Sequence, residues 1–110
     1  VGDAFVAPSA EGAAAAVDAS PLESGREPFD LAVELERTTD AAGAYPIALV
    51  SYLVACEVYT DPAKAELVKA YLSFVASEEG QRVSAGSAGS APISATLREQ
   101  VEAALEAISS

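Results

Sequence analysis

A few groups of residues in this 110-residue chain have types and spacings from which chemistry can be built. Glu78 and Glu79 set two carboxylates side by side, as an acid/base pair or a cation site would require. Adjacent residues on a helix do not face each other, and no third ligand lies near them in sequence. Carboxylates in a first turn favour the helix dipole, and that structural role is the better reading. Ser84, Ser87 and Ser90 interleave with Gly86 and Gly89, a composition compatible with a phosphate cradle. The stretch is not GxxxxGK[ST] and carries no lysine. Gly and Ser are the usual turn formers, so it reads as a loop between helices. Ser94 stands where exposed amides of a helix start could hold an anion; an ordinary Ser cap is the simpler role. Tyr45, Tyr52 and Tyr59 recur every seven residues. On a strand that spacing alternates faces, so they build no single stacking platform. Tyr45 is the one candidate for lining a cleft.

Other chemistries are excluded more firmly. The chain has no histidine and no GxSxG elbow, which leaves nucleophile–base catalysis without parts. Cys56 is the single cysteine, so neither an internal disulfide nor Cys/His metal spacing is available. Its neighbours Val54, Ala55 and Val58 predict burial as a small hydrophobe, and Glu57 opposes thiolate formation. No catalytic residue, metal ligand or cofactor is expected, and the chain is not read as an enzyme. The formal charge is −11, from 17 acidic and 6 basic residues. A field of that sign repels nucleic acid and anionic lipid, and the basic residues are scattered. No nucleic-acid partner is expected.

The elements that would position these residues follow from pattern. Ser9 and Glu11 open an Ala-rich helix over residues 9–18. Ser20 to Pro28 reads as a surface loop. Phe29 to Glu36 alternates apolar and polar side chains, the period of a half-buried strand. Gly43 turns the next loop. Ile47 to Tyr59 is nearly continuous apolar and predicts a strand buried on both faces, entered at Pro46. Thr60-Asp61-Pro62 is a strong helix start. Leu67, Tyr71, Phe74 and Val75 follow on one helical face. Ser77 opens a short second helix through Val83, which Gly86, Gly89 and Pro92 end. Ser94 caps a last helix with a Leu97, Val101, Leu105 and Ile108 stripe.

This is one small domain with an alanine-heavy apolar content, 51% of residues. At such a length little surface is buried, and two strands do not make a stable sheet. The strand at Ile47 therefore calls for neighbours that the chain does not supply. The chain starts at Val1 and contains no Met, so a processed product or a fragment is expected. No signal-peptide pattern opens it. Its longest apolar run, Ile47 to Cys56, is about half the roughly 20 residues a spanning helix needs. A soluble chain is expected.

A family resemblance rests on three stretches. Leu67 to Pro92 is a helix, a Ser-Glu-Glu-Gly-Gln break, a small-residue turn and a proline. Gly43-Ala44-Tyr45-Pro46-Ile47 leads into a strand with Ser51, Tyr52 and Cys56, and Phe5-Val6-Ala7-Pro8-Ser9 precedes the Ala-rich helix. Together they resemble the C-terminal segment of phosphate-binding components of ABC transporters, the PstS type of type II periplasmic binding proteins. The alanine content is similar to that of members from high-GC bacteria. The resemblance implies an α/β fold: the C-terminal part of a two-lobed protein with a mixed sheet flanked by helices, incomplete on its own. It implies the end of a second lobe over 1–44, a crossover and buried strand over 45–59, and C-terminal helices packing on the first lobe over 60–110. Tyr45, Pro46 and Ile47 become hinge or cleft candidates.

The implied partners are inorganic phosphate, the N-terminal remainder of the same protein, and an ABC permease. The family's phosphate ligands lie N-terminal to the matched region, so no phosphate-binding residue is carried onto this chain. The implied location is extracellular or periplasmic, with a lipid anchor on a missing N-terminus. Two alternatives stand beside this reading. One is a free-standing acidic interaction domain; the other is a binding protein for another oxyanion, such as sulfate or molybdate, or for an organic solute.

Overall fold

The structure, a computed structural model, describes Val1 and residues 3–110. It holds four helices: α1 (Ala10–Asp18), α2 (Pro62–Ala76), α3 (Glu78–Ala88) and α4 (Ala95–Glu106). Each starts on a side-chain cap that accepts an otherwise unpaired first-turn amide. Ser9 Oγ accepts from Gly12 N at 2.9 Å. Asp61 Oδ1 accepts from Ala63 N at 3.0 Å, with Pro62 directly after it. Ser77 Oγ accepts from Gly80 N at 3.1 Å, and Ser94 Oγ accepts from Leu97 N at 3.1 Å. Ser77 also ends α2, donating from Oγ to the Phe74 carbonyl at 2.7 Å. One serine thus turns the chain sharply from α2 into α3. At the far end Gly89 adopts φ 67°, a left-handed helix stop that suits glycine.

The α/β expectation, with its mixed sheet flanked by helices, is corrected. Among the described residues the fold is all-helical and there is no sheet. Neither Phe29–Glu36 nor Ile47–Tyr59 forms a strand. Two isolated bridges are the pairing present among the described residues, Leu22 with Val33 and Val58 with Ser109. The physical reason lies in where the backbone donors go. Ala32 N donates to its neighbour Asp30, Val33 N to the Tyr52 hydroxyl, and Glu36 N to Ser20 Oγ. The Glu34 amide donates to the Pro21 carbonyl and the Glu23 amide to the Ala32 carbonyl, and these two bonds make the single Leu22–Val33 bridge. Beyond that bridge, side-chain oxygens have taken the ladder's place. A lone pair of strands would be marginal in any case.

The helical length of α3 also exceeds expectation. It runs past Val83 to Ala88, so Ser84, Gly86 and Ser87 are helical rather than looped.

Packing is confined to small contacts. Helix α2 lies against both α3 and α4. The buried apolar residues are Ala16, Ala44, Ala65, Ala76 and Leu105, and no large side chain is fully enclosed. Two polar side chains brace the C-terminal helices. Gln81 donates from Nε2 to the Val75 carbonyl and accepts at Oε1 from Ile93 N, both at 2.9 Å. Arg98 donates to the Ala76 carbonyl at 3.1 Å and pairs with Glu78 at 3.2 Å. The N-terminal helix is tied in by Ser94 Oγ, which donates to Asp18 Oδ1 at 2.7 Å.

The result is open. The accessible surface is 7461 Å², against about 5,700 Å² for a compact monomer of this mass. The radius of gyration is 15.4 Å, against about 13 Å for a compact domain of this length.

The α2–α3 corner yields a prediction. A Cβ on buried Gly80 would overlap the Phe74 carbonyl oxygen. Gly80→Ala is expected to destabilise the protein by about 1–3 kcal/mol, the usual penalty of overpacking. Thermal melting followed at 222 nm reads this directly; an unchanged melt contradicts the corner as drawn.

Candidate functional site

The residues singled out for chemistry do not converge. Glu78 is exposed and engaged with Arg98, and Glu79 is exposed beside it. No group of three or more His, Cys, Asp or Glu residues that could hold a metal occurs among the described residues. Ser84 and Ser90 bond to each other at 2.6 Å across the end of α3, while Ser87 points into solvent on the helix. Ser94 is occupied twice, by the Leu97 amide and by Asp18. The Asp18 carboxylate beside it opposes an anion at that helix start.

The tyrosines are dispersed as well. Tyr45 is half-buried against α1; its amide donates to the Gly12 carbonyl at 2.8 Å. A Cβ on Gly12 would come within 3.1 Å of Tyr45 Cβ, so the glycine permits that approach. The Tyr52 hydroxyl accepts from Val33 N, and the Tyr59 hydroxyl accepts from Cys56 N at 3.0 Å. Lys64 Nζ lies 6.0 Å from the Tyr59 ring centroid, at the outer reach of a cation–π contact.

The hinge or cleft candidates fare differently from one another. Tyr45 is anchored to α1. Pro46 is gripped from the side, its carbonyl accepting from Arg37 Nη1 at 2.9 Å. The same guanidinium reaches the Ala48 carbonyl at 3.4 Å. Ile47 is exposed. These residues form the turning point between the α1 region and an extended segment, and no cleft is built around them.

That extended segment is the dominant feature of the surface. Leu49 is 93% and Val54 95% exposed, with Ile47, Leu53 and Val58 also open to solvent. Cys56, expected to be buried, is exposed. The N–H groups of Ile47 through Ala55 meet no acceptor among the described residues. Pairing resumes only at the end, where Ser109 N donates to the Glu57 carbonyl at 2.9 Å and Tyr59 N to the Ser109 carbonyl at 3.0 Å. No charged side chain falls between Asp40 and Glu57.

Helix α2 continues the same surface. On the face read from Leu67, Tyr71, Phe74 and Val75, the first three are exposed and Val75 is half-buried. The residues that the helix buries are Ala65 and Ala76. Between Leu53–Ala55 and α2 runs an open groove whose α2 wall is Leu67, Val68, Tyr71 and Leu72, facing Leu53, Val54 and Tyr59. An apolar strip with free backbone donors and acceptors is suited to polypeptide, which offers matching amides and apolar side chains together.

Sequence reasoning gave Arg37 no role beyond scattered charge, and nothing in its local pattern marks it as a clamp on Pro46. The exposure of α2 did leave a signal. Ala65, Leu67, Val68, Tyr71, Leu72, Phe74 and Val75 cover more of the helix circumference than one buried stripe needs.

Perturbed protonation lies away from this surface. A hydrogen bond from Arg26, then its charge, holds the Asp30 carboxyl below its ordinary value despite some desolvation. The contacts are Arg26 Nε at 2.9 Å and Nη2 at 2.7 Å. Glu36 is lowered by the Thr38 hydroxyl and then by the Thr38 amide.

No protein-family model, curated protein or solved structure matches this chain. No helix among the described residues is long and apolar enough to cross a membrane.

Two expectations follow. Arg37→Gln removes the clamp on Pro46 and Ala48, so limited proteolysis at Leu49–Leu53 should accelerate while helical circular dichroism is unchanged. An unaltered cleavage rate contradicts the clamp. The lowered Asp30 pKa stabilises the fold above the ordinary carboxylate range, and this is lost as pH falls through the lowered value. In a carboxyl NMR titration, Arg26→Gln should bring Asp30 back up toward its ordinary pKa; no movement contradicts the pairing.

Proposed function

We propose that this chain is a packing piece of a phosphate solute-binding protein that delivers its ligand to an ABC permease. In this reading the chain contributes the turning point at Tyr45, Pro46 and Ile47 and a broad docking surface, and it makes no ligand contacts. The observation that carries the proposal is the uncovered apolar segment Ile47–Val58 with its row of free amides. The accessible area exceeds the compact-monomer expectation by about 1,800 Å². A standard interface takes only about 800 Å² from each partner. So large an excess is better matched by permanent covering with other parts of one protein than by a passing encounter.

The assignment to phosphate transport rests on the resemblance of Gly43–Ile47 and Leu67–Pro92 to the PstS type. The double occupation of Ser94 is consistent with ligand contacts lying outside this chain. Binding of phosphate then shifts an open–closed equilibrium of the whole protein, and the permease reads the closed form. The complete protein works extracellularly or in the periplasm.

A second reading, a free-standing acidic interaction domain, is favoured by one observation. Helices α2, α3 and α4 form a capped, mutually braced unit within this chain. The two separate on a melt of residues 1–110 alone. A sharp cooperative transition supports the free-standing domain; a broad one or aggregation supports the packing piece.

The phosphate assignment is tested on the complete protein, stripped of phosphate before measurement. Inorganic phosphate at 100 times its Kd should stabilise it by about 2.7 kcal/mol, while residues 1–110 alone should not respond. Stabilisation by sulfate or molybdate instead would move the ligand within the oxyanions. No response to any of them contradicts the proposal.

A further inference from the structure

We draw no further inference here: the strongest candidate, the open apolar groove between Leu53–Ala55 and the Leu67–Tyr71 side of α2, belongs to the docking surface already described, and nothing in the structure shows what covers it.

Discussion

Peptide groups that leave water must find partners, and the N–H groups from Ile47 to Ala55 meet none among the described residues. The constraint is severe because the same residues are apolar on both sides. Burying their side chains would strand the amides, at a cost of about 1–3 kcal/mol for each unpaired group. Leaving the amides in water keeps Leu49, Leu53 and Val54 there as well. The chain resolves the conflict by leaving the segment open. Its backbone is held near its ends, by Arg37 and α1 on one side and by Ser109 on the other, and the Tyr52 hydroxyl ties its middle to the Val33 amide.

The rest of the architecture follows from that exposure. With its most apolar segment unused, the chain builds its interior from alanines and Leu105. Ala16, Ala44, Ala65 and Ala76 bury little area each. Order in the C-terminal half therefore leans on caps and on polar braces. Ser77 serves two helices at once, Gln81 links the α2 end to Ile93, and Arg98 grips the Ala76 carbonyl. Helix α2 has apolar residues on opposing sides because it meets α3 and α4 on one side and continues the open surface on the other.

Helix starts were legible because capping is local chemistry. Ser9, Asp61, Ser77 and Ser94 each announce a helix within a few residues and each caps one. Strands were not, because a strand is made by its neighbours. The alternation of Phe29–Glu36 and the apolar run after Pro46 describe side chains suited to a sheet, and no local pattern says whether a sheet is present. Which apolar residues of α2 are buried is not local either. Large and small apolar residues both line α2, and it is the small Ala65 and Ala76 that packing buries. The surface itself could be anticipated, since a run so apolar and so free of charge calls for cover that the chain does not provide.

Amide hydrogen exchange over Ile47–Ala55 tests the central claim most directly, measured on residues 1–110 alone and on the complete solute-binding protein that we propose this chain belongs to. The account predicts exchange close to that of an unstructured peptide in the isolated chain, and strong protection in the complete protein. Strong protection in the isolated chain would contradict it, as would free exchange in the complete protein.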